Sequence, residues 1–515
     1  MFAHHHLLLA TAAATLAAAT PLKGIYPQDN GTTGITWGPC DFESKTNATI
    51  QCGSLPVPLD YSNPKSNRTL TLQVVKAPAV NGPSKGSILF NFGGPGYQAI
   101  NSLADTAPLL FNMTGGHHDL VAFDPRGTGR SIPYSCYDNA TERELAALKY
   151  PGKFGNSSDV GLGETWAYAT ILANRCEEKT KDIGSFIGTS FVARDLMQVV
   201  DTLGEDGLLN FWGFSYGSLL GEVVAAMFPD RMGRLILDGV VNGNNYYHNF
   251  GIDKDQLLAV EDAWDAMLEE CLKVSSDRCA LAEVNSTAAE LKQTLSNLVQ
   301  QVKYAPIVVD DFVLDYTSLV AISYVAMKNP SIAPAVFKVL HDILTGQDLA
   351  SLVPLLTAQA ANIAVDGDGL YGIKCSDSFP RSSTLAGVMS EIEYGVSTSP
   401  NFWGILTTQV IQCAQWPFEA KERYTGDFKV KTKNPILFVG NSYDPATPPH
   451  SARNMTAFFE DSVMWEQHGF GHTTLAGRSE CSWKIIQDYF NDGKLPDPNT
   501  VCETEVDIFP ETPRA

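Results

Sequence analysis

The sequence is short of positive charge and lacks the patterns of several common protein classes. Its 36 lysines and arginines are outnumbered by 57 aspartates and glutamates, which gives a formal net charge of −21. Because such a chain repels phosphate groups, the charge argues against nucleic acid as a partner. The ten cysteines include no C-x-x-C pair, so the usual zinc and redox motifs are missing, and we expect neither a metal nor another cofactor.

Long apolar runs are missing after the first residues, where no segment reaches the roughly 18 consecutive apolar residues of a membrane span. The start of the chain is different. Residues 1–19 contain the apolar core Leu7-Leu-Leu-Ala10 and end in the small residues Ala17-Ala-Ala19. This pattern is typical of a secretory signal peptide. We therefore expect a secreted protein with no membrane span and no obligate protein partner.

Two further features agree with export. The cysteines are even in number, and pairing them in order along the chain predicts five disulfide bonds: Cys40–Cys52, Cys136–Cys176, Cys271–Cys279, Cys375–Cys413 and Cys481–Cys502. Sequons for N-glycosylation begin at Asn30, Asn47, Asn67, Asn112, Asn139, Asn156, Asn285 and Asn454. Disulfide bonds and N-glycans both form on the oxidising secretory route of eukaryotes.

An apolar run, a serine between glycines and a helical run stand in direct succession. Residues 208–212 are short enough for a buried strand, Gly213-Phe-Ser-Tyr-Gly217 follows, and residues 219–228 favour a helix. Strand, tight turn and helix around G-x-S-x-G are typical of a nucleophile elbow, which exposes the serine hydroxyl at the end of a sheet. Ser215 is therefore the candidate nucleophile. Ser84 has the same flanking glycines but precedes a strand, which indicates a loop serine.

The remaining runs predict an α/β core with a helical interruption. Residues 87–92, 120–123 and 234–241 are apolar, and the first two end in Gly-rich loops, as in a parallel sheet covered on both faces. Helical patterns dominate from 242 to 428, and strand-like runs return at 434–439 and 462–466. We predict a core at residues 20–241, a helical cap at 242–428 and a second part of the core at 429–515.

A serine nucleophile needs a base within hydrogen-bond reach and a carboxylate that orients the base. In folds with a nucleophile elbow the chain order is serine, acid, histidine. Asp444 follows one of the two late strands, and His472 lies in a Gly-rich loop after the other. His468 is the alternative base. Asp461 is the alternative acid, although it precedes a strand and so lies at the wrong edge of the sheet. We predict a triad of Ser215, Asp444 and His472.

Acyl transfer at a serine also needs two N–H donors for the developing oxyanion. The residue after the nucleophile supplies one of them, which is Tyr216 here. The second is expected from the loop Gly93-Gly-Pro-Gly96. Because Pro95 has no N–H, one of the three glycines must donate. We take Gly94 as the candidate.

The quoted motifs together resemble a known family, the α/β-hydrolase peptidases of the prolyl-aminopeptidase type. The likeness is strongest to the secreted tripeptidyl-aminopeptidase-like branch with its C-terminal segment, and it runs from about residue 37 to residue 502. It rests on Gly93-Gly-Pro-Gly96, Asp124-Pro-Arg-Gly-Thr-Gly-Arg-Ser131, Gly213-Phe-Ser-Tyr-Gly217, Phe228-Pro-Asp-Arg231, Leu237-Asp-Gly-Val-Val241, Asp444-Pro-Ala-Thr-Pro448 and Gly471-His472. The resemblance implies an α/β-hydrolase fold and the same triad. Tyr97 departs from the family, which often has a small residue there, and is a candidate for substrate contact.

Three functions are compatible with these features. The first is a serine exopeptidase that releases short N-terminal pieces from peptides, as the resemblance implies. The second is an esterase or amidase for a small acyl compound. The third is a catalytically silent binding protein, against which the complete triad counts.

An exopeptidase must recognise the free ammonium group of its substrate, and a desolvated carboxylate is the simplest receptor. Asp366, Asp368 and Asp377 lie in the least regular part of the predicted cap. We predict Asp377 as the receptor, because a disulfide bond at Cys375 would hold its backbone. The alternative is that Asp377 caps a helix or faces water.

Overall fold

A computed structural model describes residues 34–42, 44–250, 253–284, 286–309, 312–347, 349 and 367–511. Several predictions fall outside these residues. They are the signal peptide, the sequons at Asn30 and Asn285, and the candidate receptor Asp366. No helix among the described residues is both long enough and apolar enough to cross a membrane.

A nine-stranded sheet organises the protein, in the order β1-β2-β4-β3-β5-β6-β9-β10-β11. The pairs β1–β2 and β2–β4 are antiparallel, and all other neighbours are parallel. A separate hairpin joins β7 to β8. The strands are β1 (Gln51–Pro58), β2 (Thr69–Ala77), β3 (Ser87–Asn91), β4 (Asp119–Phe123), β5 (Leu209–Phe214), β6 (Met232–Asp238), β7 (Ile307–Val309), β8 (Phe312–Leu314), β9 (Leu437–Tyr443), β10 (Val463–Phe470) and β11 (Val501–Glu503).

Helices cover both faces of this sheet, as the continuous apolar strands predict. Along β5, Phe211 packs into one hydrophobic core, while Trp212 and Phe214 pack into the other. The helices are α1 (Ala99–Thr114), α2 (Ala140–Lys149), α3 (Gly161–Thr180), α4 (Thr189–Leu203), α5 (Tyr216–Met227), α6 (Gly243–His248), α7 (Val260–Leu272), α8 (Ala288–Tyr304), α9 (Tyr316–Lys328), α10 (Ala333–Thr345), α11 (Gly367–Asp377), α12 (Met389–Thr398), α13 (Gly404–Ala414), α14 (Pro449–Thr456) and α15 (Glu480–Asp492).

The chain between β6 and β9 forms an insertion, in the interval where the sequence predicts a helical cap. It contains α6 to α13 and the β7–β8 hairpin. The hairpin was not predicted, because helical patterns dominate this part of the sequence. Part of the insertion packs into a separate hydrophobic cluster, which also includes Ala446, Ile508 and Phe509 from outside the insertion. In this cluster the Trp264 ring lies 5.5 Å from that of Phe337 and 5.8 Å from that of Phe402. The described helices of the insertion are therefore packed, some in this cluster and some against the core.

The five disulfide bonds of the structure join the same pairs that the order of the cysteines predicts. The sequons differ more. Asn47, Asn67, Asn112 and Asn139 are exposed, and Asn454 is half-buried. Asn156 does not suit a glycan, because its Nδ2 lies 2.6 Å from the Tyr316 hydroxyl and its Oδ1 is buried. The sequon is a pattern of three residues and contains no information on whether the asparagine side chain is packed against another residue.

Candidate active site

The nucleophile elbow forms where the sequence predicts it, between β5 and α5. Ser215 has φ 56° and ψ −122°, a backbone conformation that few residues other than glycine adopt. Gly213 and Gly217, on either side of the serine, must be glycines because other backbone atoms lie too close for a side chain. A Cβ on Gly213 would lie 2.1 Å from the Gly217 carbonyl oxygen, and one on Gly217 would lie 2.4 Å from that of Asn91. Ser84, by contrast, lies in an exposed turn.

Asp444 and His472 meet directly after two neighbouring parallel strands, β9 and β10. The Nδ1 atom of His472 lies 2.9 Å and 3.0 Å from the two carboxylate oxygens of Asp444. The carboxylate also accepts the Ala446, Thr447 and Thr473 amides and the Thr447 hydroxyl. Burial by itself would raise the pKa of Asp444, but His472 and these hydrogen bonds hold it below the usual value. The acid therefore stays ionised and orients the imidazole.

The elbow and the histidine loop converge through the backbone after β6. The Ser215 amide donates to the Asp238 carbonyl oxygen at 2.8 Å. A Cβ built on the next residue, Gly239, would lie 3.4 Å from Cε1 of His472. No hydrogen bond joins the Ser215 hydroxyl to His472 among those of the described residues, and such bonds are often long without substrate. The three predicted triad residues thus gather at one edge of the sheet.

The two alternative triad residues lie elsewhere. Asp461 is exposed in the turn before β10 and forms an ion pair with Lys431 at 3.0 Å. His468 lies within β10, is exposed, and has its Nδ1 3.0 Å from the Ser442 hydroxyl. Of the two histidines, only His472 contacts the acid.

The predicted oxyanion loop packs against the elbow. A Cβ on Gly93 would lie 2.9 Å from Cβ of Ser215 and 3.3 Å from the Tyr216 nitrogen. The Gly93 amide itself donates to the Asn91 side chain at 3.0 Å, so it is not free for an oxyanion. This leaves Gly94 or Gly96 beside Tyr216, whose amide stands in the first turn of α5, where helix N–H groups have no intrahelical acceptor.

Tyr97 follows this loop directly and is 39% exposed. Burial raises the pKa of its phenol, so the hydroxyl remains protonated and able to donate at neutral pH. Its contact with substrate stays a prediction.

Asp377 does not occupy the place that the receptor prediction needs. It has no solvent exposure, and its carboxylate accepts the Thr189 amide at 2.9 Å, the Thr189 hydroxyl at 2.6 Å and the Tyr246 hydroxyl at 3.2 Å. Burial raises its pKa to about 7 although these hydrogen bonds act in the opposite direction. A buried carboxylate whose oxygens already accept hydrogen bonds cannot bind the ammonium group of a substrate. The prediction that Asp377 is the amine receptor is therefore wrong. Asp368 is also occupied, by Arg143 and the Cys136 amide.

Two supporting residues were missed by reasoning from the sequence. Asp238, at the end of β6, is fully buried and accepts the Thr474 amide at 3.0 Å and its hydroxyl at 2.5 Å. It thereby ties the elbow to the histidine loop. Thr447 donates to Asp444 at 2.8 Å and lies 3.1 Å from Nδ1 of His472. The sequence contains features that could have identified them: Asp238 is an acid at the end of a predicted strand, and Thr447 is a threonine three residues after Asp444.

Asp238 predicts a measurable pH dependence of stability. Burial raises its pKa from 3.8 to about 7, and the charge of Asp444 acts in the same direction. A raised pKa means that the folded state binds the proton more tightly than the unfolded state. This contribution is complete below the unfolded value of 3.8 and is lost as the pH rises through about 7.

Asp238→Asn should therefore flatten the decline in the free energy of unfolding across that interval. Urea denaturation of both proteins over a pH series measures this difference. Asp262→Asn, at an exposed position on α7, is the matched control and should keep the wild-type slope. Equal slopes for Asp238→Asn and wild type would contradict the prediction.

Comparison with known proteins finds similarity to two families and to several hydrolases. The α/β-hydrolase fold family matches residues 86–278, and the TAP-like protein family matches residues 400–502. The tripeptidyl aminopeptidase of Streptomyces lividans is 25% identical over 91% of this chain and 86% of its own length. Serine protease Hip1 of Mycobacterium tuberculosis is 25% identical over 91% of both chains.

Carboxylesterase B of Mycobacterium tuberculosis is 26% identical over 96% of this chain and 95% of its own length. The largely parallel sheet and the serine elbow after β5, with an acid after β9 and a histidine after β10, are typical of the α/β-hydrolase fold. No cluster of three or more His, Cys, Asp or Glu in the described part of the chain is arranged to hold a metal ion. The chain therefore has the α/β-hydrolase fold, and its C-terminal region is similar to the TAP-like family.

Proposed function

We propose that this protein is a secreted serine exopeptidase that removes short N-terminal pieces from peptides through an acyl-enzyme on Ser215. The observation that carries the proposal is the contact of 2.9 Å between His472 and the buried Asp444 at the same sheet edge as the strained Ser215. The relatives named tripeptidyl aminopeptidase and serine protease support the peptidase assignment. Five disulfide bonds and the leader-like residues 1–19 support secretion.

In the proposed mechanism the Ser215 hydroxyl attacks the scissile carbonyl and His472 takes its proton. Asp444 keeps the histidine in the tautomer with Nδ1 protonated and stabilises the imidazolium that forms. The amides of Tyr216 and Gly94 bind the oxyanion of the tetrahedral intermediate. His472 then protonates the leaving amine, and a water activated by the same histidine releases the N-terminal piece and restores Ser215.

The insertion supports cleavage near a chain end, because part of it lies against the catalytic loop. The His472 amide donates to the carbonyl oxygen of Lys328, at the end of α9, at 2.9 Å. The Tyr324 hydroxyl, on the same helix, lies 3.4 Å from the Pro445 carbonyl oxygen, next to Asp444. We infer that α9, in this position beside the acid and the base, restricts the approach of an uninterrupted polypeptide chain.

Acetylation of the substrate amine tests the exopeptidase assignment. We expect a free tripeptidyl anilide to be hydrolysed with a kcat/KM about 10–100 times that of its N-acetyl derivative, since hydrogen bonds to a charged group contribute about 1.5–3 kcal/mol. Steady-state kinetics on the matched pair measures this ratio. Equal values for the two substrates would rule out amine recognition.

A second candidate is an esterase or amidase for a small acyl compound. The occupied oxygens of Asp368 and Asp377 favour it, since neither of these two candidate carboxylates is left to bind an ammonium group. The relative named carboxylesterase B agrees with it. Nitrophenyl esters of short acyl chains, assayed beside the two anilides, separate the candidates. An esterase would prefer the esters and ignore acetylation.

A further inference from the structure

The surroundings of Asp377 suggest a role in the reaction other than amine binding. Asp377 ends α11 in the insertion, yet it contacts Thr189 in the first turn of α4, a helix of the core. The insertion and the core thus meet at a fully buried carboxyl group. Two residues earlier in the chain, Cys375 is bonded to Cys413 of α13, which restrains the end of α11 covalently.

The contact continues from Thr189 to the elbow. The Thr189 hydroxyl lies 2.6 Å from Oδ2 of Asp377 and 2.5 Å from the Tyr216 hydroxyl. A threonine hydroxyl has one proton to donate. In the structure Thr189 donates to Asp377, as it must when the carboxyl group is ionised and can only accept. The Thr189 hydroxyl then accepts its second hydrogen bond from Tyr216. The three side chains therefore form a directed chain of hydrogen bonds.

Tyr216 is the residue after the nucleophile, and its amide is a predicted oxyanion donor. Its side chain is 2% exposed, so the ring is packed and its hydroxyl is the only polar anchor. An anchored side chain at the first position of α5 limits rotation of the backbone that carries the amide. A donor aimed in advance stabilises a transition state more than one that must reorient.

We propose that Asp377 is a positioning residue that holds Tyr216 through Thr189 and so keeps the Tyr216 amide directed at the oxyanion. This proposal rests on the proposed serine-hydrolase mechanism and adds to it a contribution from the insertion. Asp377 does not touch the reacting atoms. Its effect is on the transition state and not on substrate binding.

Two substitutions test the chain without disturbing its packing. Thr189→Val removes the bridging hydroxyl but keeps the branched shape, and Tyr216→Phe removes the terminal hydroxyl but keeps the ring. Removal of a whole oxyanion donor costs about 10²–10³ in kcat, so a loosened donor should lower kcat by about 10–100-fold with little change in KM. The double variant should lose no more than either single variant, because both break the same chain.

The affinity for a transition-state analogue distinguishes positioning of the oxyanion donor from a merely structural role of these residues, which would leave that affinity unchanged. The affinity for a peptide boronate, which places an anionic oxygen in the oxyanion site, should fall in parallel with kcat. Thr189→Ser keeps the hydroxyl and should rescue most of both quantities. Ser190→Ala is the matched control, since Ser190 is the next residue, is equally buried, and its hydroxyl has no hydrogen-bond partner in the described structure. It should leave kcat unchanged.

Asp377→Asn should show the same fall in kcat. If this variant does not fold, Thr189→Val and Tyr216→Phe still test the proposal. An unchanged kcat in Thr189→Val and Tyr216→Phe, or a fall in kcat without a loss of boronate affinity, would overturn the proposal. Failure of the proposed function itself would look different. In that case wild type and Ser215→Ala would hydrolyse every substrate at the same rate, and Ser190→Ala would be as active as all the others.

Discussion

Replacing Ser215, Asp444 or His472 by alanine should lower kcat by about 10⁴-fold or more, since removal of a triad member typically leaves only the contributions of the oxyanion hole and of binding. Loss of Ser215 removes the atom that forms the acyl-enzyme. Loss of His472 removes the base, and loss of Asp444 frees the imidazole from the contact that orients it at 2.9 Å. Steady-state kinetics with a tripeptidyl anilide or a nitrophenyl ester measures each loss.

The three residues should behave as one unit. The double variant Ser215→Ala/His472→Ala should lose no more activity than Ser215→Ala alone, because the base has no role without its nucleophile. Labelling by a fluorophosphonate should occur at Ser215 and disappear in Ser215→Ala. Labelling at another serine would remove Ser215 from the mechanism.

Two variants act as controls for this series. His468→Ala and Ser84→Ala alter exposed side chains that have no contact with the triad in the structure, so both should keep kcat within a small factor of wild type. A loss in His468→Ala as large as in His472→Ala would contradict the assignment of the base.

Replacing Asp195 by alanine should lower the free energy of unfolding by about 3–5 kcal/mol, the cost of leaving a buried charge without its partner. That partner is Arg126, and both side chains have no exposure. Two hydrogen bonds of 2.6 Å join the guanidinium to the carboxylate. The Tyr61 hydroxyl donates to the same carboxylate at 2.8 Å, so the substitution leaves a second group unsatisfied.

Arg126 also connects the loop after β4 to the end of β1 and to the segment before α4. Its guanidinium donates to the carbonyl oxygens of Pro58, Leu59 and Phe186 at 2.9–3.1 Å. The residue lies in the loop after β4 that the sequence marks by the motif Asp124-Pro-Arg-Gly-Thr-Gly-Arg-Ser131. Within this motif, Arg126 therefore anchors the loop after β4 to the end of β1 and to α4.

Urea denaturation followed by circular dichroism measures the loss for Asp195→Ala. Asp488→Ala is the matched control, because its ion pair with Lys484 is exposed along α15 and such pairs contribute about 0–1 kcal/mol. Replacement of both Arg126 and Asp195 by apolar residues of similar volume should recover much of the loss, since no charge is left unpaired. If Asp195→Ala lowered the free energy of unfolding by less than about 1 kcal/mol, the Arg126–Asp195 pair would contribute no more than an exposed ion pair, and the prediction would be contradicted.

Local features determined the nucleophile, the core strands and the disulfide pairs. The elbow could be predicted because its strand, serine and helix are adjacent in the sequence. Within this unit Gly213 must be glycine, since a Cβ there would lie 2.1 Å from the Gly217 carbonyl oxygen. The acid and the base could be predicted because parallel strands end at one edge of the sheet and the chain order is set by that topology. The disulfide pairs followed from nearness along the chain.

Contacts between distant residues were decided only by the tertiary structure. Thr189 and Asp377 are 188 residues apart in the sequence, and Asp238 and Thr474 are 236 residues apart. A local sequence pattern therefore cannot predict either contact. The sequence marked Asp377 as an acid in the insertion, but whether it faces the cleft or Thr189 depends on how the insertion docks on the core. Burial and hydrogen-bond partners decide the role of a charged side chain, and both are set by packing between elements that the linear order does not bring together.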